Sequence, residues 1–337
     1  MLNCTKDVIS YLNSDASSPD ITLIDACVHT IVHIGSADDA RHLLPVFLSE
    51  PFSYHHNLLL PVFQKFGDLQ TAEALFNACI VSNKLHEVAL PEVLQVLGSL
   101  SYEPVRAILI HYALDPETDY YTAKYAVAGL LNFDCSDIQD RILSSIEACY
   151  DKQLFPEFVP ALACKLNNSL PVLKKLYELG SRGIPSTDCL GGFIQAFSLC
   201  GREGEPYFRK ILFDPDWEAV NTGTGNAWLS YEGMQRLNIG FKELYTAVRE
   251  CQEPAEKAYA LEVLLSLLEI KMTGHGALKT GTESFIQIHE ALYKWKNENE
   301  SDNLISLAGA FGKEDDARKI ETLLSLRMQE EMILNNR

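Results

Sequence analysis

Along most of this chain, apolar positions recur every three or four residues in short runs that stop at a Gly or Asn and restart after a polar break. Residues 29–47, HTIVHIGSADDARHLLPVF, show the figure once, and residues 304–324, LISLAGAFGKEDDARKIETLL, show it again. In the first copy Ile31, Val32 and Ile34 precede the stop, and Leu43, Leu44, Phe47 and Leu48 follow it. That is the spacing of helices with one apolar face. The stops fall at Gly35, Gly67, Gly98, Asn132, Asn167, Gly201, Gly240, Gly274 and Gly312, at steps of 31 to 39 residues. Gly and Asn tolerate the left-handed backbone that closes many helices. Each interval therefore predicts two helices of about a dozen residues. Prolines sit between units or near helix starts, as at Pro45, Pro61, Pro91 and Pro171. Period-two alternation of β-branched residues is scarce.

One such hairpin cannot bury both its faces, so neighbouring copies must supply the other half of each interface. The stretches VFQKFGDLQTAEALFNACI (62–80) and GAFGKEDDARKIETLLSL (309–326) carry the figure best. They resemble the short HEAT-like repeats of phycobilin lyases and related proteins, whose units look like ALGxLGDxxALPxLxxLL. The fold expected from the pattern is all-α, a right-handed α-solenoid of about nine HEAT-like helical hairpins over residues 21–337. Residues 1–20 form a short capping helix and a polar lead-in. The resemblance implies that the helix running into each stop lines the concave face. It specifies a fold that carries many functions.

Charge narrows the partners. Lys and Arg number 28 against 46 Asp and Glu, a net charge of −18. Such a surface repels phosphate backbones and anionic membranes, and it draws in basic proteins, cationic peptides or small ligands, the bland alternative being that the charge serves solubility alone. A HEAT-like DNA glycosylase is disfavoured on that ground. No apolar run reaches the roughly 18 residues that span a bilayer. The opening MLNCTKDVISYLNSD has no basic segment leading into an uninterrupted apolar one, so no export signal is expected. Nine cysteines without a CxxC pair then read as reduced, mostly packed thiols, and the cytoplasm as the expected setting.

Two interruptions of the repeat, FDPDWEAVNTGTGNAW (213–228) and KMTGHGALKTGTE (271–283), are expected as long loops. In the first, Trp217 and Trp228 would stack on a flat ligand or an Arg side chain. The bland alternative is a pair of longer turns. Counting back twelve and eleven places from the stops aligns His55–His56, His86–Glu87, Tyr120–Tyr121, Phe155–Pro156, Cys189–Leu190 and Trp228–Leu229 at the expected starts of the inner helices. Packed helices lie about 10 Å apart. One rim would thus carry His, His/Glu and Tyr in a row, a binding strip of residue types that favour hot spots. The same residues would equally serve to pack helix starts on the loops before them. Tyr231 and His275 complete the set of binding candidates.

Asp25, His29 and His33 share one helix face, and His55, His56, His86 and Glu87 form a second cluster. Zinc needs three or four converging ligands, which the sequence does not show. No metal or cofactor is expected, and His29 and His33 are expected at a hydrogen-bonded interface. Deoxyhypusine hydroxylases are HEAT-like enzymes whose diiron site uses repeated His-Glu pairs. Here the pairs are His86–Glu87 and His289–Glu290, far apart and at different offsets, so that assignment is rejected. No GxSxG or HExxH motif occurs. The acidic pairs Asp38–Asp39 and Asp315–Asp316 fall in polar turns, where Asp caps the following helix. The expected function is a non-catalytic binding or scaffold protein that grips a basic protein or peptide in an acidic concave groove, as an adaptor, assembly factor or immunity-type protein. The alternative is a small-molecule enzyme with a pocket in that groove, as in bilin lyases. His86 or Glu87 would then act as acid or base, and Tyr120, Tyr121, Trp217 and Trp228 would line the pocket.

Overall fold

A computed structural model describes residues 1–14, 21–151, 158–182, 187–214, 217, 224–253, 260, 263 and 267. Helices dominate these residues, and one two-stranded hairpin is the only sheet among them. No helix among the described residues is long and apolar enough to cross a membrane. The chain divides into two units, Met1–Asn167 and Asn168–Arg337.

In the first unit α1 (Asn3–Leu12) packs on α2 (Ile21–Ile34) and α3 (Ala37–Ser49). The short α4 (Tyr54–Asn57) and α5 (Leu60–Phe66) lead to α6 (Leu69–Cys79), and a hairpin, β1 (Ile80–Val81) with β2 (Lys84–Leu85), follows. Then come α7 (Glu92–Ser99), α8 (Arg106–Leu114), α9 (Tyr120–Leu130), α10 (Gln139–Asp151) and a 3-10 helix, Val159–Lys165. Packing follows chain order: α2 on α5, α5 on α7, α7 on α9, and α9 on the 3-10 helix, with α3 on α6 and α8 on α9 beside them. Each helix buries apolar residues against its neighbours in this series. Val93, Leu94, Val96 and Leu97 of α7 are all buried because α7 has helices on both sides.

The predicted stops at Gly35 and Gly67 follow the last residues of α2 and α5. Their reason differs from the one expected. Gly67 is extended (φ −65°, ψ 160°), and a Cβ there would lie 2.4 Å from the Phe63 carbonyl oxygen, so what matters is space. Left-handed backbone does occur at the predicted stop Gly201 (φ 56°), and also at Ser82, Asn83, Ser101 and Asn238. The capping expectation sharpens at Asp39, which stands third in α3 and forms a capping box with Ser36. Burial pushes its carboxyl up. Hydrogen bonds from Leu2 N (2.7 Å), Thr5 Oγ1 (2.7 Å), Ser36 N (3.0 Å) and Ser36 Oγ (2.9 Å) outweigh this and hold it at about 2. One carboxylate thus pins α1 to the α2–α3 turn.

The second unit contains α11 (Leu170–Gly180), α12 (Thr187–Leu199), α13 (Glu205–Leu212), α14 (Thr224–Arg236) and α15 (Phe241–Glu250). α12 packs against α11, α13 and α14. Phe193, Phe197, Phe208 and Trp217 are fully buried. The Trp217 ring lies 6.0 Å from Tyr177 and 6.1 Å from Phe197, centroid to centroid. Arg209 of α13 reaches Glu205 at 2.7 Å and Glu243 of α15 at 2.8 Å.

Here the loop expected over 213–228 is corrected twice. Its end, from Thr224, is the first part of α14, so Trp228 sits on a helix. Trp217 is core: a Cβ added at Gly180 would lie 2.1 Å from its Cη2. An indole enclosed this way has no face left for a ligand. The second loop, 271–283, with His275, lies outside the described residues, as do Phe155–Pro156, Asp315–Asp316 and the last two predicted stops.

Candidate functional site

The first unit holds a groove of about 540 Å³ between the hairpin side and the start of α9. The hairpin wall comes from a local turn. Ser82 (φ 51°) and Asn83 (φ 60°) are both left-handed, the requirement of the tight turn that matches the twist of paired strands. Two bonds fasten the hairpin: Leu85 N donates to the Tyr112 hydroxyl of α8 at 3.0 Å, and His86 N donates to the Cys79 carbonyl at 2.8 Å. The His86 ring stacks on Phe52, with centroids 4.4 Å apart and planes 19° apart. The chain then turns, with Ala89 N donating to the His86 carbonyl at 2.9 Å, and enters α7 at Glu92.

The opposite wall is the first turns of α9. Asp119 caps that helix, accepting from Tyr121 N and Thr122 N at 3.1 Å each. Desolvation raises its pKa, but these bonds and the Thr122 hydroxyl outweigh it and leave the carboxyl below its ordinary value. Tyr121 and Tyr125, one turn apart, face the groove together with Tyr112. Burial first, then interaction with the Glu92 carboxylate, raises the Tyr125 phenol above its ordinary pKa. Glu92 Oε2 is enclosed and has no hydrogen-bond partner among the described residues. The lining residues, all of them described, include Glu87, Glu92 and Asp119 but no Lys or Arg.

A second groove in this unit, about 570 Å³ near the end of α8 and the first part of α10, is lined by His111, Asp115, Asp140 and Arg141. There a cation stands among the acids. The unit as a whole is acidic: residues 1–167 hold 21 Asp and Glu against 9 Lys and Arg, a balance of −12.

Of the row expected along one rim, the structure brings His86, Glu87 and Tyr121 into this groove. It does so differently from the expectation, because His86 and Glu87 follow β2 and precede α7 by several residues rather than starting it. The aligned Tyr120 turns to Phe158, with centroids 5.1 Å apart. His55 packs edge-on against Tyr54, while His56 is buried with Nδ1 enclosed and unpartnered among the described residues. Burial lowers the pKa of His56, which makes it a neutral packing residue. In the second unit Trp228 lies 6.4 Å from Tyr231, which is buried and accepts from Gln235 Nε2 at 2.8 Å. His29 and His33, expected at an interface, are exposed and stack on each other at 4.3 Å. No three His, Cys, Asp or Glu side chains among the described residues are grouped to hold a metal ion.

Tyr112, Tyr125, Glu92 and Asp119 were not on the sequence-derived strip. The four-residue step from Tyr121 to Tyr125 was readable in YYTAKY; the approach of Tyr112 and Glu92 depends on the fold. Comparison of the chain with protein-family models, with curated proteins and with solved structures finds no match to any of them.

Proposed function

We propose that this chain is a HEAT-like α-solenoid that binds rather than catalyses, and that the groove of the first unit grips a basic segment of a protein or peptide partner. One observation carries the reading: three tyrosines and the carboxylates of Glu87 and Glu92 line a groove without Lys or Arg. Carboxylates attract a cation from a distance, and aromatic faces hold it at close range. The chain-order packing of helices supports a stacked-repeat scaffold, whose neighbours leave such grooves on one side. The same charge works against nucleic acid and anionic membranes. A cytoplasmic adaptor, assembly factor or immunity-type protein fits this description.

The test is recovery of partners from the native host by the wild type and by a Glu87→Gln/Tyr121→Ala variant, with each recovered protein identified. A partner whose bound segment is basic, and which the variant loses, is the expected result. Equal recovery of every partner by both proteins refutes the groove.

A second reading, a small-molecule enzyme, draws on the groove volume, which lies in the range of ligand pockets, and on His86, Glu87 and the Glu92–Tyr125 pair as proton-transfer groups. Its test is a metabolite extract incubated with the chain. Conversion of a component that a Glu87→Gln/Glu92→Gln variant leaves untouched would favour it over the binding reading.

A further inference from the structure

We infer that Cys4 of α1 and Cys27 of α2 form a dithiol site that glutathione disulfide closes to a protein disulfide, locking the first helix onto the second. The site lies apart from the groove and does not depend on what the chain binds.

The two helices set the pair side by side. α1 packs on α2, and Leu2 N and Thr5 Oγ1 near the start of α1 both reach Asp39, just beyond the end of α2. The start of α1 therefore meets the end of α2, and the two run antiparallel. Their buried seam is made by Thr5 and Val8 on one side and by Ile24, Val28 and Ile31 on the other. Cys4 stands one turn before Val8, and Cys27 one turn before Ile31. Both are half-buried, so they sit at the rim of the seam, where a dissolved oxidant reaches them. Packed helix axes lie about 8–10 Å apart, with each Cα about 2.3 Å off its axis. Facing Cα atoms are thus about 3–5 Å apart and those at the rim somewhat further, within the span of a disulfide.

Electrostatics agrees with this placement. Burial raises the Cys27 thiol above its ordinary pKa, and the charges of Cys4 and then Asp7, one turn along α1 from Cys4, raise it further. A charge acts in this way only at short range. A metal is not the alternative, because Cys4, Asp7 and Cys27 do not converge to hold one.

The chemistry balances with glutathione disulfide as the oxidant. The Cys4 thiolate attacks one of its sulfurs, forming a Cys4–glutathione bond and expelling one glutathione thiolate. The Cys27 thiolate then attacks the Cys4 sulfur and expels the second. Two protein thiols lose two electrons, the oxidant gains them, and the two thiol protons pass to the departing glutathione thiolates. Cys27 holds its proton more tightly than an ordinary thiol, which suits it to the second attack, where its target is already held beside it. Cys135 and Cys164 supply a contrast. Cys135 N donates to the Lys165 carbonyl at 3.0 Å, so that pair is also close in space. Cys135 is fully buried, however, its Sγ faces the Leu130 and Phe133 carbonyls, and burial pushes its thiol up to about 11. Such a thiol is inert.

The experiment equilibrates the full chain with glutathione and its disulfide at several ratios, then alkylates the remaining thiols in denaturant and maps tryptic peptides by mass spectrometry. Trypsin cuts after Lys6 and next after Arg41, so Cys4 and Cys27 leave on separate peptides, 1–6 and 7–41. A linked pair of these two, lost on reduction, is the expected result, with Cys135 alkylated in the same samples. Oxidation should raise the melting temperature by about 5 °C, because the link restricts the unfolded chain. Cys4→Ser and Cys27→Ser should each abolish both the link and the shift. Serine is close to cysteine in size and both sites are half-buried, so the variants should melt as the reduced wild type does. Absence of the linked pair at every ratio overturns the inference, as does glutathione carried singly on Cys4 or Cys27 without a link. A link that forms only in urea overturns it too, because the folded helices then keep the thiols apart. A linked chain that melts where the reduced one does overturns the lock.

Discussion

Gly98 of α7 meets Gly129 of α9 in the first unit so closely that a Cβ on Gly98 would lie 2.3 Å from the Gly129 Cα. In the second unit Gly180 meets an indole, and a Cβ there would lie 2.1 Å from Trp217 Cη2. Both contacts use glycine to bring elements close, but the first removes side chains from two helices and the second removes one to seat a ring. A backbone neighbour has no way to yield, while a ring can tilt or be replaced. The units differ in charge as well: residues 168–337 hold 25 Asp and Glu against 19 Lys and Arg, a balance of −6, half that of the first unit. The unit with backbone-to-backbone packing is also the one that carries the acidic groove.

The strongest way to break this comparison is Trp217→Ala, which empties the largest fully buried side chain among the described residues. It should cost about 3–5 kcal/mol, read by denaturant unfolding, with hydrogen exchange localising the loss to the second unit. Gly98→Ala comes next, at about 2–3 kcal/mol, with the exchange change in α7 and α9. Rescue sharpens the contrast. Gly180→Ala should regain stability when combined with Trp217→Phe, whereas Gly98→Ala has no such partner change, because Gly129 is already the smallest residue. If Trp217→Phe restores nothing to Gly180→Ala, the two contacts are not different in kind.

Acid tests the pin at the start of the first unit. Asp39 has a folded pKa of about 2 against an ordinary 3.8, so its contribution is complete above that ordinary value and fades as pH falls from 3.8 through about 2. The amount is about 2 kcal/mol. Asp39→Asn should flatten that part of the stability–pH curve, and an unchanged curve would show that the bonds to Leu2, Thr5 and Ser36 do not hold the charged form. The smallest expected effect is Ser82→Gly, a gain of about 0.5–1 kcal/mol in thermal unfolding, because serine is strained at φ 51° and glycine is not.

These contrasts also show where the fold was legible. The α2–α3 and α5–α6 turns were readable because Gly35–Ser36 and Gly67–Asp68 carry stop and cap within two residues, and a cap is a local event. The position of α7 was not. Counting a fixed distance back from Gly98 assumes equal helices, and the hairpin between α6 and α7 takes up the residues that would have made its first turns. His86, Glu87 and Tyr121 do line one groove, but an element that period-3.6 reasoning does not contain places His86 and Glu87 there. Trp217 was misread for the opposite reason. Its Thr- and Gly-rich flank reads as loop, while its burial is decided by Gly180 and by the rings of Tyr177, Phe193 and Phe197, which no local pattern links to it.

The turn at Ser82–Asn83 has a consequence for how such a molecule changes over generations. Both residues face water, and exposed tips of this kind accept added chain readily. A few inserted residues there would lengthen the hairpin whose far strand borders the groove, while the glycine seam between α7 and α9 stayed untouched. Under the proposed binding role, selectivity and robustness would rest on separate stretches of the chain, so either could drift without endangering the other.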